Sequence, residues 1–178
     1  MMFIPGIVIA IATFPGVIVH ELAHQLFCRL YGIPVFKVVY FQVENPCGYV
    51  LHDKPRKKMQ HLMIGIGPFF INTLLGGLIA LPASLPVLHF GHSPSILDIV
   101  FIYLGFSIAM HAFPSTGDAA SIWKAVNEED TPFWVKLVSY PVVGLIYAGA
   151  AGSFFWLDIF YGVAVVMGMP WLIINMMY

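Results

Sequence analysis

His20, Glu21 and His24 stand in the pattern His-Glu-x-x-His, a spacing by which one helical turn can hold a metal ion. On a helix, positions i and i+4 point within about 40° of each other, one turn apart, so both imidazoles face the same way. Each ring can give one nitrogen to the same Zn²⁺. Glu21 stands one step round the helix, where its carboxylate could hold a metal-activated water and take its proton. A shuffled chain of this composition would carry the pattern only about 0.006 times, so chance explains it poorly. The competing explanation is a polar cluster that joins helices through hydrogen bonds. Ionisable groups embedded in an apolar span are costly and functional by default, which favours the metal. The motif mechanism points to zinc, one ion per chain, ahead of iron or manganese.

The elements that must position these side chains are apolar. Residues 1–19 carry no charge, and neither do residues 25–28 behind the motif. The chain is 60% hydrophobic and 10% charged, with a mean hydropathy of +0.86; soluble domains average about 25% charged. The expected fold class is therefore an all-α polytopic membrane protein. About five transmembrane helices are expected, at residues 3–30, 59–81, 96–113, 133–156 and 159–177. Pro5 suits the start of the first and Pro15-Gly16 a kink just before the histidines. The opening run has no basic n-region and contains the motif, so it reads as a retained span rather than a signal peptide. A net charge of −1 with no basic stripe excludes nucleic acid as a partner. Two cysteines, Cys28 and Cys47, make no disulfide framework.

The first loop is unlike the rest. Residues 35–43 are β-branched and aromatic and read as a strand, Asn45-Pro46-Cys47-Gly48 as a turn, and residues 49–52 as a returning strand. Lys54, Arg56, Lys57 and Lys58 close the loop as a solvated, headgroup-facing run. The cations of loops one and three place both in the cytoplasm, with the N-terminus outside, the C-terminus inside and the metal near the cytoplasmic face. In the second span Asn72, Gly76 and Ala80 form a stripe that lets another helix approach closely. Asn72 itself reads either as an interhelical hydrogen bond or as an amide that contacts substrate.

A catalytic zinc needs a third protein ligand and an open position. His89, His92, Asp98 and Asp158 lie at the opposite face, and His52 and His61 fall in or near the basic loop, where they read as solvated. Cys28, one turn below His24, reads as core. His111 and Asp118 remain, both at the cytoplasmic end of the third span. Asp118 also suits the N-cap of a short helix over residues 119–126. A carboxylate would offset the charge of the dication in an apolar setting, so Asp118 is the expected ligand and His111 a partner of substrate or of Asp118.

An HExxH in a span, a β-rich loop, a Gly-Pro-interrupted second span with an Asn, and a Pro-rich segment ending in Asp together resemble the site-2 protease family of intramembrane zinc metalloproteases. The resemblance covers about residues 10–125. It implies a three-helix catalytic core within residues 1–126, to which residues 133–178 add two helices. It also implies zinc on His20, His24 and Asp118, with membrane proteins as substrates. The chain departs from the family pattern at Met110, where the family has an Asn that helps hold substrate, at Gly117 for a Leu, and at Ala119-Ala120 for a Gly pair. Asn72 comes four residues after Pro68, where the family more often has three.

The expected function is hydrolysis of peptide bonds in membrane-protein substrates, with Glu21 as general base. A substrate helix must unwind first, and the strand carrying Val38 and Tyr40 could receive the unwound segment by edge pairing, with Asn72 and His111 as further contacts. The alternative is a metal-binding module that holds partner helices without cutting them. Glu21 discriminates, because a structural zinc site has four protein ligands and no base.

Overall fold

Gly6–Ala12 (α1) and Phe14–Leu30 (α2) are the first helices of a computed structural model that describes residues 6–153 and 155–177. The expected helix start at Pro5 lies outside the described residues. The two helices meet at 89°, and the bend falls at Thr13. Pro15 sits in the first turn of α2, where its missing N–H costs nothing. Irregular backbone in an apolar setting persists only where protein satisfies it. Here Gly16 N donates to Ser107 Oγ at 3.0 Å, and the same hydroxyl donates to Thr13 O at 2.9 Å.

The first loop holds an antiparallel hairpin, Val35–Val39 (β1) and Tyr49–His52 (β2). Val38 stands opposite Val50 and Val39 opposite Tyr49, with a bulge between Val35 and Lys37. The first strand is shorter than the expected 35–43. Gln42 N donates to Cys47 O at 2.7 Å and closes the turn early, around a cis Asn45–Pro46 peptide.

Lys58–Ser84 (α3) runs on through a π-helical turn at Leu85–His89, and the other elements gather round it. Ile96–Met110 (α4) lies along it backbone to backbone: a Cβ at Gly76 would fall 2.7 Å from both Gly105 O and Ala109 N. The Asn72-Gly76-Ala80 stripe is the face that receives α4. Thr116–Val126 (α5) is amphipathic and buries Ala119, Ile122 and Val126 against Leu62 of α3. Val143 and Ile146 of Phe133–Ser153 (α6) complete that core. Leu157–Met177 (α7) packs on α3 and α4, and its Tyr161 hydroxyl is 2.7 Å from Thr73 Oγ1.

Among the described residues three helical stretches are long and apolar enough to cross a membrane: Lys58–His89, Phe133–Ser153 and Leu157–Met176. The bent pair α1–α2 would make a fourth if it acts as one span. These lengths are consistent with an integral membrane protein. The 15 residues of α4 extend about 22 Å at 1.5 Å per residue.

Candidate metal centre

The site begins with two side chains fixed from outside. His20 Nδ1 lies 2.7 Å from the His111 carbonyl, and His24 Nδ1 lies 2.9 Å from the Ile64 carbonyl. A carbonyl oxygen only accepts, so each Nδ1 carries the proton and each Nε2 of a neutral ring is left with a lone pair. Those two Nε2 atoms are 3.1 Å apart. Two lone pairs cannot hydrogen-bond to each other; a proton or a cation has to lie between them.

Asp118 supplies the third donor. Its Oδ1 is 3.4 Å from His24 Nε2. Its Oδ2 accepts from Ser115 N at 2.8 Å and from Ser115 Oγ at 2.7 Å, while Ser115 Oγ accepts from Asp118 N at 3.1 Å. This is a capping box, with Ser115 as N-cap and Asp118 three positions on. Cap and ligand are alternatives in the sequence; in the structure Oδ2 makes the cap and Oδ1 stays clear of it, close enough to His20 and His24 to share a metal with them. Burial alone would raise the Asp118 carboxyl, but a positive charge at His24 and a hydrogen bond from it, then the charge of His20 and the Ser115 hydrogen bond, would hold it below its usual range whenever a proton sits between the rings.

One ligand atom each from His20, His24 and Asp118 falls within 4.8 Å of the others. Atoms about 2.0–2.1 Å from a tetrahedral zinc stand about 3.3–3.4 Å apart, so the observed 3.1 and 3.4 Å separations fit such an ion. The donor set of two imidazoles and one carboxylate is a zinc set with a fourth position open.

The three donors and Glu21 line one cavity of about 510 Å³. α2, α3, α5, β2 and the hairpin turn enclose it. Gly48 presses on the Glu21 side chain: a Cβ there would fall 2.7 Å from Glu21 Cγ and 3.0 Å from Oε1. Glycine is required at this close approach.

The other expected contacts lie elsewhere. Asn72 is fully buried, and its Nδ2 donates to the carbonyls of Gly16, Ile108 and His111 at 3.3, 3.2 and 3.1 Å. It joins α3 to α2 and α4, the first of its two readings. The His111 ring bonds to Thr13 Oγ1 at 2.8 Å, and it is the His111 carbonyl that reaches His20. Tyr40 donates to Gln25 Oε1 at 2.8 Å, and Val38 lines a separate pocket. None of these four lines the metal cavity.

Gly48, Tyr49, Val50 and Ser121, which carry no metal-ligand signal in the sequence, also line the cavity. His52 and His61, read as solvated, are part-exposed and stand in its wall as well, His61 Nε2 2.8 Å from Ser121 Oγ. Ser115 was readable, because Ser-x-x-Asp before an apolar run is a capping-box signal.

Compared with known proteins, residues 13–131 match the model of a family described as "Putative zincin peptidase". The match runs from the bend before α2 to beyond α5 and so contains all three donors. Neither the curated proteins nor the solved structures gave a match.

Proposed function

The chain belongs to that zincin peptidase family, a zinc metallopeptidase family by its description, and from this premise we propose that it cuts membrane-protein substrates at a site within the bilayer near its cytoplasmic face. The observation that carries the reading is the convergence of two imidazoles, one carboxylate and Glu21 on a single cavity inside a helical assembly. Zinc held by His20, His24 and Asp118 would polarise the scissile carbonyl and make water a nucleophile at neutral pH.

This chain's own residues do the rest. Glu21 takes a proton from the attacking water on a carboxylate oxygen and returns it to the leaving amine. The His111 and Ile64 carbonyls hold the two rings in the tautomer that turns Nε2 inwards. Ser115 holds Asp118 in place, leaving Oδ1 turned towards His24.

Substrate backbone is received by β2 rather than by β1. Asp53 N donates to Pro34 O at 2.9 Å and Gln42 N to Cys47 O at 2.7 Å. In an antiparallel pair both peptide groups of a residue turn to the same side, so the odd-numbered residues of β2 face β1. Val50 and His52 then turn theirs to the free edge, and both line the cavity. An unwound segment adding to that edge would gain main-chain hydrogen bonds beside the donors.

The five-span arrangement belongs to the same proposal, with the bent α1–α2 pair as the first span and α4 as the third. On the positive-inside rule the same proposal puts the first and third loops in the cytoplasm. A non-cleaving module fits less well, because a structural zinc takes four protein ligands and here a carboxylate base shares the cavity with three. The test is turnover of a reconstituted membrane-protein substrate by wild type and Glu21→Gln. Cleavage by the first and not the second supports the proposal; equal cleavage by both removes Glu21 from it.

A further inference from the structure

The cations around the hairpin fall into two sets. Lys54 is paired with Glu128 at 2.6 Å, and Lys58 is paired with Glu128 and, at 3.2 Å, with Asp130. Arg29 and Lys37 have no carboxylate within ion-pair distance among the described residues. Both line a second cavity of about 340 Å³, between the end of α2 and β1, which shares no residue with the metal cavity. Gln25 stands beside them as a further hydrogen-bonding group.

What adjoins this pocket is apolar and exposed. Leu22, Leu26 and Leu30, at i, i+4 and i+8 on α2, are 43%, 43% and 67% exposed. They make a stripe about 12 Å long that ends beside Arg29. Phe36, 66% exposed, lines the pocket from the β1 side. Two cations without a carboxylate partner, Lys37 lying 5.4 Å from the centre of the Tyr49 ring, stand at the end of an exposed apolar stripe where the helix stops at Tyr31-Gly32, and together they match the charge and apolar character of one kind of molecule.

We propose that this pocket binds an anionic glycerophospholipid, with its phosphate held by Arg29 and Lys37 and an acyl chain along Leu22, Leu26 and Leu30. The Arg29 guanidinium can take two phosphate oxygens at once, and the Lys37 ammonium adds a point charge. The apolar stripe selects a lipid over a free phosphate, which has nothing to lay against it. The site rests on the membrane reading given above but not on peptide cleavage.

The test places the full chain in nanodiscs of equal phosphatidylglycerol and phosphatidylcholine and counts retained lipids by native mass spectrometry. Wild type should keep phosphatidylglycerol preferentially. Arg29→Gln with Lys37→Gln should lower that preference about tenfold, each single change less. Lys124→Gln with Lys136→Gln, which removes the same charge from positions elsewhere, should leave it unchanged. Arg29, Lys37 and Lys124 are exposed and Lys136 is half-buried, so folding is not at stake. Equal retention of both lipids by wild type, or equal losses in the two double variants, overturns the site. Displacement of the lipid by millimolar glycerol phosphate makes the ligand a free phosphate and overturns it too. Failure to enter nanodiscs at all contradicts the membrane reading instead, so the two failures are distinguishable.

Discussion

Asp118 divides its carboxylate between a helix cap and the donor cluster, and that division sets what single substitutions do. Ser115→Ala removes the hydroxyl half of the cap alone and should cost about 1 kcal/mol of stability, read by thermal unfolding, with zinc still bound. Asp118→Ala removes cap and donor together, so it should lose a similar stability and also most of the bound zinc by metal analysis. Glu21→Gln should keep zinc and lose about 10²–10⁴-fold in cleavage rate, because the carboxylate serves the water. Residue types and spacing made His20, Glu21 and His24 legible in the sequence, and narrowed the third donor to Asp118 or His111. The two carbonyls that fix the rings were not legible, since every residue has one and only packing decides which is near. His111 was singled out for its imidazole, yet its main chain is what touches His20.

At the scale of elements, the hairpin was visible from its β-branched run and turn chemistry, but the edge that borders the cavity was not. Period-two alternation does not reveal which edge of a strand another element leaves free, so the place of β2 in the cavity wall came from the structure, and substrate pairing on either strand is a proposal. One close approach makes the arrangement testable. Gly76→Ala would force a methyl group against the α4 backbone and should cost about 1–3 kcal/mol, measured by thermal unfolding. A second test concerns the tie between the basic loop and the loop after α5. Hydrogen bonds from Lys54 and Lys58 lower the Glu128 carboxyl from 4.5 to about 2. A depressed carboxylate stabilises the fold above its unfolded value, and this is lost as pH falls through the folded one. Glu128→Gln should therefore unfold at a lower temperature than wild type near neutral pH, and the gap should close between about pH 4.5 and about pH 2. The group is exposed, so the gap should be small and shrink with salt.

For the whole molecule, composition was sufficient to indicate a polytopic membrane protein, and the long helices agree with it. Pro15-Gly16 indicated a kink, within two residues of the 89° bend at Thr13, but hydropathy counts apolar residues and not their direction, so neither the sharpness of the bend nor the short α4 was legible. The bend also explains why Ser107 is polar: its hydroxyl accepts from Gly16 N and donates to Thr13 O, backbone at the break between the two helices. The proposed cleavage depends on a metal held by two imidazoles and the Asp118 carboxylate. X-ray absorption at the zinc edge of the purified full chain tests that most directly. The account predicts bound zinc near one per chain, with a first shell of two imidazole nitrogens and oxygen at about 2.0–2.2 Å that loses imidazole in His24→Ala and oxygen in Asp118→Ala. Folded protein that takes up no zinc, a sulfur at about 2.3 Å from Cys28, or a third imidazole with Asp118→Ala unchanged would contradict it.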